Sequence, residues 1–197
     1  MLSELLASNK EEPIQKYLEI NSKILIATFG MPEWYYKIVI PKFRFGSDYC
    51  SDFVIINGQS YSYWIYLIEL EPATEKLFTK NGDYARRLNH AIKQVDEWGD
   101  WIKRNENYFK DSLLKAIKKV DTTFEETFDY ARRFIVSKHI VIGRRGTLTS
   151  DDNKRRAIEY DEKGIDIITY DRLVECENRI IQMEKEGKMF SRFHYDD

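Results

Sequence analysis

Hydrophobic positions along this chain switch between two periods, and the switches mark out its elements. Tyr84, Leu88, Ala91, Val95, Trp98 and Ile102 recur at helical spacing, which predicts one long helix within 83–105. Beside that apolar face runs a second stripe of Arg87, His90, Gln94 and Trp101. A shorter helix, "KEEPIQKYLEIN", turns Ile14, Tyr17 and Leu18 to one side and tolerates Pro13 in its first turn. "SLLKAIKKV" and "FEETFDYARRFIV" continue the helical pattern. Three stretches read as strands: "YYKIVIPKFRF" with a bend at Pro41, "SDFVIING", and "YSYWIYLIELE". The last is apolar on both faces, as expected inside a layered domain. Only a short polar link separates the second and third strands, which predicts an antiparallel hairpin. Further on, "KHIVIG", "DDNKRRAIEYDEKG", "IDIITY" and "RLVECENRIIQMEKEG" alternate strand and helix, the pattern of a parallel βαβ unit. Gly164 is expected to end the first of those helices and Asp171 to cap the second.

Composition narrows the class. The 197 residues are 43% hydrophobic and 32% charged, enough for one domain with a real core. The expected unit covers 1–187, with a core over about 11–143, a βαβ extension over about 138–186 and a polar tail at 188–197. No apolar run approaches the ~18 residues of a membrane span, and "MLSELLASNKEEP" lacks a basic-then-apolar leader, so a cytoplasmic chain with no membrane partner is expected. A net charge of −2 argues against a constitutive, strongly basic nucleic-acid binder. It leaves room for local patches such as Arg86-Arg87, Arg132-Arg133, Arg144-Arg145 and Lys154-Arg155-Arg156. Cys50 and Cys176 have no metal-type spacing and read as reduced structural thiols.

Chemistry enters where the third strand ends. After a bulky apolar run come Glu69, Leu70, Glu71 and Pro72. Side chains alternate along a strand, so Glu69 and Glu71 point the same way, about 6–7 Å apart at Cα. Two like charges side by side are costly to bury unless a cation sits between them. Asp52, at the start of the preceding strand, can join them, and the register decides whether it does. A two-residue turn at Asn57-Gly58 pairs Asp52 with Tyr63 and leaves Glu69 ~20 Å away. A wider loop, roughly 58–62, sets Asp52 opposite Ile68 or Glu69 and assembles Asp52, Glu69 and Glu71 as hard-oxygen ligands for Mg²⁺ or Mn²⁺. The alternative is a pair of solvated acids at a sheet edge.

The blocks "SDYCSDFVI", "LIELEP", "LFTKNGD" and "LNHAIKQVDEW", in that order, resemble the Shedu family of bacterial anti-phage nucleases. "EEPIQKYLEIN", "HIVIGRR" and "IDIITYDRL" extend the resemblance to roughly 11–173. It implies a restriction-endonuclease-like α/β fold, a mixed central sheet flanked by helices. It also implies a metal-dependent deoxyribonuclease acting on DNA with Mg²⁺ or Mn²⁺, in a homo-oligomer. By that resemblance Asp52 and Glu69 are metal-binding acids, and Glu11 or Glu12 is a helix glutamate reaching toward them. Gln94, with Trp98, resembles a helix glutamine that orients the site or contacts DNA, and His90 lies one turn before Gln94 on the same stripe. Arg44, Arg144 and Arg145 are candidates to steady flanking phosphates.

One position departs from the superfamily's signature of an Asp followed by Glu-x-Lys. Glu71 stands where the lysine belongs, and a carboxylate supplies no positive charge to a developing phosphorane. Three outcomes stay open: Glu71 is a further metal ligand, a lysine such as Lys80 arrives from elsewhere, or the fold persists without cleavage. Rival readings are a module that binds nucleic acid or a protein without cutting, and an assembly or regulatory subunit. Trp34, Tyr35 and Tyr36 are candidates for an oligomer interface in the last of these.

Overall fold

A computed structural model describes residues 1–7, 10–29, 36–47, 49–58, 61–121, 128–129 and 132–187, apart from the side chain of Tyr36. Trp34, Tyr35, the Tyr36 side chain and the tail at 188–197 therefore lie outside the described residues. The helices are α1 (Leu2–Leu5), α2 (Glu11–Ile20), α3 (Lys23–Phe29), α4 (Arg86–Arg104), α5 (Glu106–Val120), α6 (Ser150–Lys163) and α7 (Tyr170–Lys185). The strands are β1 (Tyr36–Phe45), β2 (Tyr49–Gly58), β3 (Ser62–Leu70), β4 (Arg133–Val141) and β5 (Ile165–Ile168). They form one five-stranded sheet in the order β1-β2-β3-β4-β5. The β1–β2 and β2–β3 pairs are antiparallel, and β3–β4 and β4–β5 are parallel. This is the expected mixed sheet flanked by helices, and β4-α6-β5 is the expected parallel unit that extends it.

Both faces of the sheet are covered. Ile65 and Leu67 of β3 pack with Val54 and Ile56 against Leu88, Ala91, Val95 and Trp98 of α4 and Leu113 of α5. The alternate residues Tyr66, Ile68 and Leu70 pack with Phe53 and Ile55 against Ile14 and Leu18 of α2, Leu25 of α3 and Leu173 of α7. A strand buried on both faces needs no polar alternation, which is why "YWIYLI" is continuous. Pro41 is tolerated because β1 is an edge strand.

Two local readings differ from the sequence pattern. "RFIV", expected at the end of a helix, opens β4 from Arg133. Its β-branched residues pair with β3 from Ser62 onward, and that pairing outweighs local helical spacing. Asp171 is not the cap of α7: Thr169 precedes the helix, and Asp171 in its first turn accepts bonds from Arg144 and Arg145 instead. Helix α3, in a segment the sequence pattern leaves unassigned, buries Ile24, Leu25, Thr28 and Phe29 on one face and packs against α7. Gly164 does end α6, in the left-handed conformation expected of it.

Candidate active site

The wider hairpin loop is the one observed. Gly58 pairs with Tyr63 and Phe53 with Ile68, so the next step along the ladder sets Asp52 across from Glu69. Their chain ends meet at the edge of the sheet where α2, α4 and α7 converge. Asp52 uses both oxygens: Oδ2 accepts the Leu70 N–H at 2.7 Å, and Oδ1 is paired with the Lys42 ammonium. Gln15, buried on α2, donates to the Asp52 carbonyl at 3.2 Å and to Glu19 at 2.9 Å.

From α4, Gln94 Nε2 donates to Glu69 Oε1 at 2.7 Å. Burial, then the charge of Asp52, push the Glu69 carboxyl up to about 9; the Gln94 bond opposes this and Glu71 adds to it. Glu71 is 5% exposed. Burial and then Glu11 push it up to about 7, against the pull of Arg87, whose Nη1 lies 3.5 Å from Oε2. Glu11, the first residue of α2, is raised by burial and then by Asp52. Glu12 points away into solvent and pairs with Lys16 at 2.7 Å, so Glu11 is the helix acid that faces the site. Tyr170, wholly buried at the start of α7, completes the surroundings. Its phenol is raised well above its ordinary value, by burial first and then by Asp52, Glu11, Glu71 and Glu69. Its hydroxyl has no hydrogen-bond partner among the described residues.

The physical state of this edge is a deficit of positive charge. Buried carboxylates beside one another favour protonation unless cations offset them. Here Lys42 and Arg87 each sit on one acid, and Glu69 takes only a neutral amide donor. Hard oxygen donors in that state suit a small divalent cation. Among the described residues, however, no three or more His, Cys, Asp and Glu side chains are gathered closely enough to hold a metal ion. Asp52, Glu69 and Glu71 are thus not gathered as one three-carboxylate set among the described residues, and Glu71 lies 3.5 Å from Arg87. The pair Asp52 and Glu69 still fits Mg²⁺, which keeps several waters and takes one or two carboxylates.

The other candidates scatter. His90 is exposed on α4, in a 430 Å³ cleft with Tyr49, Cys50 and Gln94, and makes no bond to the acids. Trp98 is fully buried in the core. Lys80 is exposed in the loop after β3, lining an 860 Å³ cleft with Lys76, Phe78 and Arg155 that none of the acids lines. Arg44 is exposed on β1. Arg144 and Arg145 are committed to Asp171 and Glu175, at 2.9 Å and 2.6 Å. Lys42, Gln15, Arg87 and Tyr170 reach the site without having been assigned to it. Gln15 carried a signal, lying one helical turn after Glu11. Lys42 carried none, since its approach depends on cross-strand pairing.

Comparison with known proteins gives a family match over most of the chain. The family model described as Shedu protein SduA, C-terminal, matches residues 8–174. A solved structure of restriction endonuclease FokI bound to DNA aligns with 11% identity and a TM-score of 0.45, over 95% of this chain. The chain spans 27% of that protein's length, and a likeness this slight carries no weight. No curated protein matches the sequence.

Proposed function

This chain belongs to the Shedu SduA C-terminal family, and on that premise we propose that it is a metal-dependent DNA phosphodiester hydrolase of an anti-phage defence system. The observation that carries the reading is the apposition of Asp52 with Glu69, whose carboxyl has no cation of its own among the described residues and is bonded to Gln94. Asp52 and Glu69 would hold Mg²⁺ or Mn²⁺. The bound ion would lower the pKa of a water and neutralise charge on a phosphate oxygen.

The chain's own residues supply the rest. Leu70 N–H fixes the rotamer of Asp52, and Gln94 fixes that of Glu69, so both carboxylates are held before substrate arrives. Glu71, raised by burial and then by Glu11 in the metal-free protein, lies beside the pair and would accept a proton from the water. Arg87 holds it in place. The reading places one nuclease-like unit over 1–187 and a homo-oligomer in solution.

Incubation with linear and supercoiled DNA in Mg²⁺, Mn²⁺ or EDTA tests it: cleavage with either metal and none in EDTA is expected. A second reading, a nuclease-fold module that binds nucleic acid without cutting, draws on the pairing of Glu71 with Arg87 and the lack of a third gathered ligand. Gel shifts in EDTA with no cleavage in any metal would favour it. Light scattering that finds only monomer at every workable concentration would defeat the assembly.

A further inference from the structure

Lys42 is held in an unusual way. Its φ is +47°, the one positive value among the described residues other than glycine. Ile38 and Ile40 of β1 face the α4–α5 core, and so do Phe43 and Phe45, so the two-residue alternation slips at Pro41-Lys42. Pairing with β2 continues on both sides, Pro41 with Phe53 and Phe43 with Ser51. The slip is therefore absorbed in the Lys42 backbone. Glycine takes that conformation freely and a lysine does so under strain. Strain of this kind persists where the surroundings over-determine it, often at functional sites.

The side chain explains what the strained residue does. It is 57% exposed, against 15% for Asp52, so its ammonium reaches the acid from the solvent side. It covers Asp52 Oδ1, while Oδ2 is occupied by the Leu70 N–H. Its charge also bears on Glu69. An ion shared by Asp52 and Glu69 needs the oxygen that Lys42 now covers.

We infer that Lys42 is an exchangeable counter-ion: it neutralises Asp52 in the metal-free protein, yields Oδ1 to the divalent cation, and turns its ammonium to a phosphate oxygen of the bound DNA strand. The inference rests on the nuclease reading above. It gives the site a positive charge from β1 in place of the one that Glu71 cannot supply. It also makes Lys42 and the metal competitors until DNA takes the ammonium away, so metal and DNA favour each other's binding.

The test is Lys42→Met, with Lys42→Arg as the charge-conserving control. Lys42→Asn replaces the first if it does not fold, since asparagine accepts the left-handed backbone. Mn²⁺ binding is read by calorimetry without DNA, and DNA affinity and cleavage separately. Removing the competing cation should tighten Mn²⁺ by about tenfold, while DNA binding weakens and cleavage falls. Lys42→Arg should keep Mn²⁺ affinity, DNA affinity and cleavage closer to the parent than Lys42→Met does, because it keeps the charge. Mn²⁺ affinity unchanged or weakened in Lys42→Met, or cleavage at the parental rate, overturns the inference with the nuclease reading intact. A parent chain that neither binds Mn²⁺ nor cuts DNA removes both.

Discussion

Two groups of carboxylates in this molecule meet opposite electrostatic fates. At the C-terminal corner, Asp171 accepts from Arg144 and from the Arg145 backbone, and Glu175 from the Arg145 guanidinium. Burial alone would raise the Asp171 carboxyl, but those bonds hold it below its ordinary value. At the end of β3 the acids outnumber the cations that reach them, and Glu69, Glu71 and Glu11 are all raised. The first group contributes to the fold at neutral pH. The second opposes it, as in sites that receive a cation or a substrate.

The comparison breaks most visibly in cleavage. Asp52→Asn or Glu69→Gln should lower DNA cleavage by roughly 10³-fold, about 4 kcal/mol of barrier, with the chain still folded by circular dichroism. Parental rates in either variant would place the chemistry elsewhere.

Stability against pH is the next largest contrast. Glu69, at about 9 when folded against 4.5 in the reference state, keeps a proton that the unfolded chain has lost. Unfolding then releases protons, so stability of the metal-free protein falls as pH rises from about 4.5 to about 9. The loss attributable to Glu69 is at most about 3 kcal/mol at pH 7. Denaturant melts in EDTA should show the fall, and Glu69→Gln should flatten it. Added Mn²⁺ should stabilise more at pH 8 than at pH 5, because it replaces those protons.

Gln94→Ala sharpens the comparison at one donor. It leaves Glu69 without its 2.7 Å amide bond. Cleavage or metal affinity should drop by roughly 10- to 100-fold, as for other partners that orient a ligand. His90→Ala, one turn away on the exposed side, should change neither by more than about twofold.

The smallest effect is expected at the paired corner. Arg144→Ala or Arg145→Ala should cost about 0.5–1 kcal/mol in denaturant melts, the range of partly exposed ion pairs, and leave cleavage at the parental rate. A large loss of DNA binding in either would instead assign these arginines to phosphate contact.

The sequence by itself determined what periodicity and residue type can carry. The apolar stripe from Leu88 to Ile102 specified α4 and put Gln94 on its flank, the "YWIYLI" run specified a strand buried on both faces, and Gly164 marked the end of α6. Asp52 and Glu69 were legible as candidate acids through the resemblance, with Glu11 or Glu12 beside them. Tertiary structure decided the remainder, because the remainder depends on groups distant in the chain. Hairpin register turned on the width of a loop that Asn57-Gly58 left ambiguous. "RFIV" became strand because β3 offered a partner. Glu12 was excluded by the rotation of α2, and Glu71 was drawn to Arg87, across 16 positions of chain. Lys42 reached Asp52 only because antiparallel pairing brings β1 and β2 together and a left-handed backbone turns the residue. Local pattern encodes which faces are buried; which charges meet at the end of a sheet is settled by pairing and packing.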